Sequence, residues 1–578
     1  MTYKWNYQPL TLQQRQEAEE LLPVCGNLAP VAEVLLRRGV NTRRGAERFF
    51  APAISDLHDP FLMKDMDKAV ERLNRAMGSK QRIMIYGDYD VDGTTAVALV
   101  YKYLQNYYSN VEYYIPTRYE EGYGISRKSI DYALENDVKL VIVLDCGIKA
   151  IEEIQYAKDR GIDFIICDHH VPDEELPPAV AILNPKMPGS TYPCQHLSGC
   201  GVGFKFMQAF AMSNGLSNHN ELESLLDLVA VSIAADIVPI VDENRVMAYH
   251  GLRRINSNPN LGLRSIIRLC KLTNKEITIS DVIFKIGPRI NASGRMQSGI
   301  EAVDLLVCRD LHDAYEKGKA IDQYNKDRKE LDKRITDEAN RLIANDVSII
   351  EGKRSIVIYN KDWHKGIIGI VASRLTELYY KPSVVLTFSN GMATGSSRSV
   401  QGFDIYAAVN ASRSLLENFG GHTYAVGLTL REENIEEFSR RFENYVSEHI
   451  QPNQLSPQIE IDAEIEFADI TPELMGYLKK FNPYGPGNQK PVFITRNVFD
   501  FGTSKLVGKN MEHIKLELED DSTSRVINAI AFNMAPYFEH IHAHKPIDIC
   551  YTIEQTRRAG HPDSVQLMVR DIRLSEKR

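Results

Sequence analysis

The sequence predicts an α/β protein in which a parallel-sheet domain is joined by a long helix to a second α/β domain, with a small β-rich domain at the C-terminus. Three observations lead to this prediction. Short, β-branched apolar runs alternate with helical stretches up to about residue 310, a charged stretch nearly free of Gly and Pro follows, and period-two alternation begins near residue 455. Apolar strands that alternate with helices are typical of a parallel sheet covered on both faces.

The apolar runs define the elements of each region. They lie at residues 82–88, 111–116, 139–145, 163–168 and 179–185 in the first α/β region, and at 355–360 and 383–388 in the second. The predicted regions are a helical extension at 1–75, the parallel-sheet domain at 76–310, a long solvated connecting helix at 311–346, the second α/β domain at 347–452 and the β-rich domain at 455–578. In the last region, apolar side chains from Ile459 to Phe467 alternate with polar ones, which predicts one half-buried strand.

Composition excludes several classes of protein. Of the 578 residues, 43% are hydrophobic and 25% are charged, which is ordinary for a soluble globular chain. The best candidate for a membrane span, residues 225–241, is interrupted by Asp227 and Asp236, and the N-terminus lacks a signal-peptide pattern. Eight cysteines in so long a chain do not make a disulfide framework, so we expect a cytoplasmic location and no membrane partner. The net charge of −9 argues mildly against a general nucleic-acid binder but leaves room for a local positive channel.

Four acidic or histidine clusters lie in the first α/β region. They are Asp88, Asp90 and Asp92 in GDYDVDG, Asp145 in LDCG, Asp168, His169 and His170 in CDHH, and Asp236 in AADIVP. Three of the four directly follow a predicted strand, and the carboxyl ends of parallel strands meet along one crevice. Three carboxylates two residues apart would repel one another unless cations compensated them. A single aspartate at a strand end is often only a helix cap or turn former, but four such clusters together predict a site for divalent cations. Carboxylates and imidazoles without cysteine suit manganese or magnesium better than structural zinc.

The same four strings resemble the phosphoesterase superfamily named for its Asp-His-His motif. Six further strings, at 287–296, 363–375, 395–399, 402–406, 420–428 and 482–493, resemble the RecJ group within it, and the match runs in order from about residue 80 to 495. The resemblance implies a two-metal exonuclease that degrades single-stranded DNA 5′→3′ to mononucleotides in recombination and repair. It makes 76–310 the catalytic domain and 347–452 a substrate-binding domain, and 455–578 resembles an oligonucleotide-binding barrel. The implied partners are single-stranded DNA and, by family analogy, a single-strand-binding protein and a helicase.

The resemblance also assigns roles to the clustered residues. It makes Asp145 a catalytic residue and the ligand that bridges two divalent cations. Manganese is the expected metal, and magnesium is the alternative. It puts Asp90 and Asp88 on one ion, and Asp92, His169 and Asp236 on the other. His170 would be the catalytic group beside the phosphate, and Asp168 would orient the histidines. Many relatives outside the RecJ group have a histidine where this chain has Tyr86, so whether Asp88 replaces that ligand is left open.

Substrate contacts follow from the same resemblance. Arg118, Ser396 and Arg398 are expected to form a pocket for a 5′-terminal phosphate, with Ser396 and Arg398 in a small-residue loop. Arg289 and Asn291, with Arg295 as a weaker candidate, are expected to contact substrate from a glycine-containing loop. His422 is expected to face the cleft, whereas Trp363 is interpreted as a packing residue and His364 is left open. Tyr484, Phe493 and Phe501 are candidates for base stacking, with a core role as the alternative.

Two other functions are weighed. The first is a phosphodiesterase of short oligoribonucleotides or cyclic dinucleotides, against which the barrel and the long helix argue. The second is a non-catalytic scaffold that binds single strands, against which the complete set of carboxylates argues. The glycine string at residues 199–203 lacks the strand and downstream acid of a dinucleotide-binding loop. The preferred metal, processivity, action on RNA, oligomeric state and protein partners are left open.

Overall fold

The N-terminal region consists of one short strand and four helices. The structure is a computed structural model that describes residues 3–216, 219–558 and 561–575. The elements are β1 (Lys4–Asn6), α1 (Leu12–Leu21), α2 (Ala29–Arg37), α3 (Arg43–Phe50) and α4 (Met66–Gly78), with single 3-10 turns at Ile54–Asp56 and Pro60–Leu62. Thr11 and Thr42 cap α1 and α3, because their side chains accept hydrogen bonds from the free backbone N–H groups of the first turn. The helical prediction for this region is confirmed, and β1 is an addition to it.

The first α/β domain is built on a five-stranded parallel sheet, as predicted. Its strands are β2 (Arg82–Gly87), β3 (Val111–Tyr114), β4 (Val138–Leu144), β5 (Asp163–Cys167) and β6 (Ala181–Leu183), in the order β3-β2-β4-β5-β6. Its helices are α5 (Val91–Leu104), α6 (Arg127–Glu135), α7 (Ile151–Lys158) and α8 (Gly199–Ser213). One apolar cluster packs the sheet against α5 and α8, and a second packs its other face against α6 and α7. Both faces are therefore covered, which is why the strands are continuously apolar.

A helical layer completes this domain. Its elements are α9 (His219–Glu223), α10 (Leu226–Ala235), α11 (Asp242–Ser257), α12 (Leu261–Leu269), α13 (Ile279–Asp281), a π-turn at Val282–Ile286, α14 (Gly287–Met296) and α15 (Ile300–Leu306). The prediction of a loop around Arg289 is wrong, because that segment forms helix α14. Pro288, its second residue, is compatible with the first turn of a helix. The apolar run at 225–241 forms only the ten-residue α10. Among the helices of the described ranges, none has the length and apolar character needed to cross a bilayer.

The long connecting helix is confirmed as α16 (Leu311–Asn345), which at 35 residues spans about 52 Å. The expectation that it is solvated all round is wrong. A stripe of its side chains, recurring every three or four residues, is buried. The stripe consists of Ala314, Gly318, Ile321, Asp322, Asn325, Arg328, Asp332, Ile335, Ala339 and Ile343. Seven of these ten residues are small or polar, so apolar periodicity alone did not show the buried face.

The second α/β domain contains a five-stranded mixed sheet. Its strands are β7 (Ile356–Tyr359), β8 (Ser383–Ser389), β9 (Met392–Arg398), β10 (Leu416–His422) and β11 (Ala425–Leu430), in the order β10-β11-β9-β8-β7. Its helices are α17 (Ile368–Tyr379), α18 (Ile405–Asn410) and α19 (Ile435–His449), and a π-turn lies at Ser348–Gly352. The loop expected around Ser396 and Arg398 is wrong, because both lie in β9, paired to β8 and β11. A Cβ at Gly395 would lie 2.5 Å from Leu386, so the small residues here serve strand packing.

The C-terminal region forms the predicted barrel. Its elements are β12 (Gln458–Glu460), β13 (Ala463–Glu464), α20 (Pro472–Lys480), β14 (Phe493–Asp500), β15 (Lys505–Val507), β16 (His513–Asp520), β17 (Thr523–Ala531), α21 (Phe538–His542), β18 (Ile547–Arg558) and β19 (His561–Leu574). Pairing runs β14-β18-β19-β17-β16 and closes through β16 and β14. The single strand expected from Ile459 to Phe467 is wrong. It breaks in two, because β12 pairs with β1 whereas β13 pairs with β14.

The two ends of the chain share one hydrophobic core. Apolar residues of α1, α2 and α3 belong to the same buried cluster as those of the barrel strands and α20. Arg38 at the end of α2 forms an ion pair of 2.7 Å with Asp462, in the break between β12 and β13. Removal of the barrel would therefore expose the core of the N-terminal helices. The domain bounds inferred from the sequence stay predictions.

A buried ion pair fixes α8 against α11 in the helical layer. Lys205 Nζ lies 2.9 Å from Glu243 Oε1, and both side chains are fully buried. The carboxylate also accepts hydrogen bonds from the Tyr192 hydroxyl at 2.7 Å and the His58 backbone N–H at 2.9 Å. Burial lowers the pKa of Lys205, and the charge of Glu243 opposes that shift. The pair connects the N-terminal segment to the parallel-sheet domain.

We expect Lys205→Met to destabilise the protein by about 3–5 kcal/mol, because Glu243 would keep a buried charge without its cation. The measurement is the midpoint of urea unfolding followed by circular dichroism. Lys68→Met removes an exposed lysine from its ion pair with Asp65 and should leave the midpoint nearly unchanged. Equal midpoints for the two variants would mean that the buried pair does not stabilise this layer.

Candidate metal centre and phosphate pocket

The four acidic and histidine clusters meet at one edge of the parallel sheet. Asp145 follows β4, His169 follows β5, and Asp92 lies in the first turn of α5, after β2. Asp236 lies at the C-terminal end of α10. The Nε2 atom of His169 lies 3.2 Å from Asp145 Oδ1, 3.6 Å from Asp236 Oδ2 and 3.9 Å from Asp92 Oδ2. Residues up to 144 positions apart in sequence, from Asp92 to Asp236, are thus gathered around one imidazole.

In the described part of the chain, two groups of three His, Cys, Asp or Glu side chains have ligand atoms within 4.8 Å of one another. One is Asp92, His169 and Asp236, and the other is Asp145, His169 and His170. Asp88 and Asp90 lie outside both groups, although the charge of Asp90 acts on Asp145 and Asp236. The second group makes His170 a geometric candidate for ligation, a role that the sequence did not suggest.

Asp92 is held by the N-terminus of α8. Its two oxygens accept hydrogen bonds from the backbone N–H of Gly199 at 2.7 Å and of Cys200 at 2.8 Å. The hydroxyl of Ser232 in α10 donates a third, at 2.7 Å. The positive end of a helix favours a carboxylate at this position. These donors were not identified from the sequence, since nothing local links residues 92, 199 and 232.

Asp145 requires a glycine opposite it. Its backbone adopts a left-handed conformation with φ of 61°, which aspartate tolerates better than most residues. A Cβ at Gly199 would lie 2.5 Å from the Cβ of Asp145. The glycine string at residues 199–203, set aside in the sequence, therefore begins with a residue that allows α8 to approach this carboxylate.

The electrostatics of the cluster favour bound cations. Burial and the charges of neighbouring carboxylates together raise the pKa of Asp236 to about 8 and those of Asp88 and Asp145 well above the ordinary value. Burial lowers the pKa of His169 to about 4, so this imidazole is neutral at pH 7. Within the described residues, both ring nitrogens of His169 and Asp88 Oδ1 are buried without a hydrogen-bond partner. Nitrogen and oxygen atoms that keep a free lone pair suit divalent cations such as Mn²⁺ or Mg²⁺.

Asp168 orients His170, as expected. Its carboxylate accepts hydrogen bonds from the backbone N–H groups of His169 and His170 and from Ile148 N–H. It also lies 2.7 Å from His170 Nδ1. Burial lowers the pKa of His170, but the hydrogen bond and charge of Asp168 outweigh this effect and hold it above its ordinary value. The remaining nitrogen, Nε2, lies 3.4 Å from the Tyr123 hydroxyl, a residue that the sequence analysis missed.

Tyr86 points away from the metal cluster. It is buried, its hydroxyl donates to the Gly124 carbonyl at 2.7 Å, and its ring stacks on Tyr114. The geometry therefore gives Tyr86 a packing role. Asp88, two residues further along, has a buried oxygen without a hydrogen-bond partner in the described residues, and its role as a replacement ligand stays a prediction.

Three arginines converge at the interface of the two α/β domains. Burial, with the charges of Arg118, Arg328 and Arg398, lowers the pKa of Arg295 to about 9. Arg118 donates to the Gly294 carbonyl, Arg295 to that of Gly366, and Arg398 to the Ser396 hydroxyl and the Ser397 carbonyl. Across the described ranges, no ion pair with a carboxylate forms at Arg118, Arg295 or Arg398. We call these three residues with Ser396 the arginine pocket, and its uncompensated charge suits an anion.

Helix α17 begins beside the arginine pocket. Its cap residue, Ile367, provides no side-chain hydrogen bond to the first turn. A Cβ at Gly369, in that turn, would lie 3.1 Å from Ser396 Oγ and 3.4 Å from Arg398 Nη2. An uncapped helix N-terminus beside arginines is a favourable place for a phosphate.

The other predicted substrate residues are dispersed. Arg289 is paired at 2.8 Å with Asp322 of α16, so the structure brings Arg295 and not Arg289 into the arginine pocket. Asn291 has a buried side-chain oxygen without a partner in the described residues. His422, at the end of β10, stacks on His170 with ring centroids 5.7 Å apart. Lys186, after β6, was missed, although the charges of Asp236 and Asp168 act on it.

The aromatic candidates divide into core and surface residues. Phe493 is buried in the barrel core, and Tyr484 is half-buried with its hydroxyl donating to the Leu478 carbonyl. Phe501 is 53% exposed and is the one of these three that is free to stack on a base. Trp363 is buried and donates to Glu338 of α16, which confirms its packing role. His364 lies edge-on to Tyr119 near the arginine pocket.

Family comparisons match the three parts of the chain in order. The DHH family, N-terminal domain, matches residues 82–233, the DHHA1 domain matches 352–448 and the RecJ OB domain matches 461–571. The first two define a DHH-type phosphoesterase: the first covers Arg118 and the metal-cluster residues except Asp236, and the second covers Ser396 and Arg398. That is the class of protein which the fold and the site define.

Individual relatives narrow the class. The single-stranded-DNA-specific exonuclease RecJ of Bacillus subtilis is 35% identical over 553 residues, which cover 94% of this chain and 68% of the relative. The RecJ of Haemophilus influenzae is 32% identical over 530 residues, or 89% of this chain and 92% of the relative. This chain belongs to the RecJ family.

Solved structures agree with the fold. RecJ from Thermus thermophilus in complex with Mn²⁺ matches all of this chain and 80% of its own, with a TM-score of 0.84 at 23% identity. A second structure, exonuclease RecJ bound to manganese, matches 69% of this chain and 98% of its own, with a TM-score of 0.59 at 29% identity. The α/β fold with a C-terminal barrel is thereby confirmed.

We expect the affinity for Mn²⁺ to rise as the pH increases through about 8, the raised pKa of Asp236. The raised pKa of Asp236 means that this carboxyl is protonated in the metal-free protein at pH 7, whereas an ion binds only the carboxylate, so binding releases a proton. His169 is already neutral there and contributes none. Calorimetric titration in buffers of different ionisation enthalpy measures the protons released. Equal release at about pH 7 and about pH 9 would contradict the assignment.

Proposed function

We propose that this chain is a metal-dependent exonuclease that hydrolyses single-stranded DNA 5′→3′ to mononucleotides, in recombination and repair. The observation that carries the proposal is the juxtaposition of the acidic cluster and the arginine pocket in one cleft. His422 of the second α/β domain stacks on His170 of the first, so the cleft is formed by both domains. The relatives named above, which are single-stranded-DNA-specific exonucleases, support the same activity.

The cofactors of this proposal are two divalent cations, for which Mn²⁺ is preferred and Mg²⁺ is the alternative. Asp145 is assigned as the bridging ligand. Asp88 and Asp90 are assigned to one ion, and Asp92, His169 and Asp236 to the other. When bound, such ions supply Lewis-acid activation of water and stabilise charge on the phosphate. The close approach of Asp92, Asp145 and Asp236 to His169 supports this set.

His170 is assigned as the catalytic group that donates a proton or hydrogen bond at the scissile phosphate. Its Nδ1 is engaged by Asp168, which leaves Nε2 facing the cleft beside Tyr123. Its raised pKa favours the protonated, donating form. Tyr123 and His422 enclose the imidazole on two sides and restrict its rotation.

The arginine pocket is assigned to the 5′-terminal phosphate. Arg118 and Arg398, with Ser396, provide donors from the two domains, and Arg295 extends the set. Because none of the three arginines is neutralised by a carboxylate in the described residues, a phosphate would relieve their mutual repulsion. Arg289 is assigned as a secondary contact to the phosphate, for which its side chain must first break its ion pair with Asp322.

The barrel is assigned to the strand beyond the cleft. Oligonucleotide-binding barrels combine basic grooves with aromatic stacking, for which the exposed Phe501 is available. Single-strand selectivity would be steric, since a duplex is too wide to pass between the two α/β domains. A single-strand-binding protein and a helicase stay family-based expectations for partners, and a cytoplasmic location stays a prediction.

We expect Asp145→Asn and Asp236→Ala to lower the rate of hydrolysis by at least about 1,000-fold, because each removes a ligand from the cluster. Asparagine also tolerates the left-handed backbone at residue 145, so folding should persist. The measurement is release of mononucleotides from an end-labelled single strand in excess Mn²⁺, with circular dichroism as the folding control. Near-normal cleavage by either variant would remove the site assignment.

We expect Arg398→Ala to lower kcat/KM on 5′-phosphorylated strands by about 10–100-fold, the equivalent of about 1.5–3 kcal/mol for a charged hydrogen bond. Strands with a 5′-hydroxyl should be affected much less. Arg440→Ala, an exposed arginine of α19 paired with Glu437, is the matched control and should behave like the unmodified protein. An equal loss on both kinds of strand would show that Arg398 does not read the terminal phosphate.

A further inference from the structure

The segment that carries Asp236 has a strained backbone. Asp236 ends α10, α11 begins at Asp242, and five residues connect them. Ile237 has a φ of 57° and Asp242 a φ of 47°. A β-branched residue rarely adopts the left-handed conformation, and it persists only where the surroundings fix it. The side chain of Ile237 is 59% exposed, so its own packing does not hold it there.

Contacts from two sides fix this segment: the buried Asn244 of α11 donates its side-chain amide to the Pro239 carbonyl at 2.9 Å, and the barrel region provides the other contacts. The Ile240 backbone N–H donates to the Pro486 carbonyl at 2.7 Å, which is the direct bond between the two parts. A Cβ at Gly485 would lie 2.4 Å from Ile240 Cδ1, and one at Gly487 would lie 2.9 Å from Val241 Cγ1. The segment and the loop at 482–489 therefore fit together only because two positions of that loop are glycines. We call residues 482–489 the buttress loop.

The buttress loop is itself fixed from two directions. Arg245 in α11 is buried and donates to the carbonyls of Phe481 at 3.0 Å, Lys480 at 3.1 Å and Asn482 at 3.2 Å. Asn488 is fully buried, and its amide donates to the carbonyls of Phe481 and Pro483. Arg245 thus connects the helix that follows the strained segment to the start of the loop that supports it.

We propose that the buttress loop positions Asp236, and that the barrel region is thereby part of the metal centre. The loop keeps residues 237–241 in the strained conformation, which directs the Asp236 carboxylate to within 3.6 Å of His169 Nε2. The inference rests on the proposed function, because it takes Asp236 as a metal ligand. Residues 490–492 connect the loop to β14, so the loop joins the barrel to the segment that carries Asp236.

The test is the affinity of the metal-stripped full chain for Mn²⁺, measured by calorimetric titration without DNA. Gly485→Ala places a methyl group against Ile240 and should weaken binding about tenfold, the usual effect of losing support behind a ligand. Adding Ile240→Val removes Cδ1, the atom in closest conflict, and should restore most of the affinity. Gly476→Ala is the matched control, because a Cβ there meets nothing within 4 Å in the same region.

Hydrogen exchange gives a second readout that does not depend on metal. The amides of residues 237–241, Ile240 above all, should exchange faster in Gly485→Ala than in Gly476→Ala. Arg245→Lys, which keeps the charge but loses the forked donor, should show the same two effects, and it tests the proposal if Gly485→Ala does not fold. Wild-type Mn²⁺ affinity in either folded variant, with unchanged exchange at Ile240, would overturn the proposal.

Failure of the proposed function gives a different pattern. If Asp236→Ala binds Mn²⁺ as tightly as the unmodified chain, Asp236 is not a ligand, and the metal assignment fails regardless of the loop. If Asp236→Ala weakens binding and Gly485→Ala does not, the metal assignment stands and the buttress role fails. A contact that serves stability alone would shift the unfolding midpoint of Gly485→Ala without changing its Mn²⁺ affinity.

Discussion

The mutual repulsion of buried carboxylates is the constraint on which the rest of this structure depends. Asp92, Asp145 and Asp236 are brought together around His169. Burial and the neighbouring carboxylates raise the pKa values of Asp145 and Asp236. The N-terminus of α8 compensates the charge of Asp92, and both ring nitrogens of His169 are left without a hydrogen-bond partner in the described residues. The remaining repulsion favours divalent cations, and the close approach of α8 to Asp145 requires a glycine at residue 199.

An excess of positive charge lies at the interface of the two α/β domains. Arg118, Arg295 and Arg398 repel one another and have no carboxylate partner in the described residues, so that part of the interface calls for an anion. A strand that places its terminal phosphate among the arginines would place an internal phosphodiester toward the acidic cluster. The acidic cluster and the arginine pocket are thus two neighbouring groups of opposite charge, contributed by two domains that contact through His170 and His422.

Several sequence interpretations failed for a common reason. The segments of Arg289 and Arg398 contain glycine and serine and were expected to be loops, but they form α14 and β9. Their small residues permit close packing against Tyr89 and Leu386, a need that local composition does not reveal. The buried stripe of α16 was missed similarly, because its polar residues pair with one another or with residues of α14 and α17, and this satisfies their buried groups without apolar periodicity.

The sequence alone indicated a parallel-sheet α/β domain, a long connecting helix and a β-rich C-terminal region, because apolar periodicity is a local property. The barrel and the roles of the residues in the acidic cluster came from the resemblance to a known family. Only the tertiary structure decided which groups support that cluster. The contacts of Gly199 with Asp145, of Ser232 with Asp92 and of Ile240 with Pro486 join residues far apart in the chain across packed elements. Their energetic role depends on distances of a few ångströms, and no pattern along the chain encodes such distances.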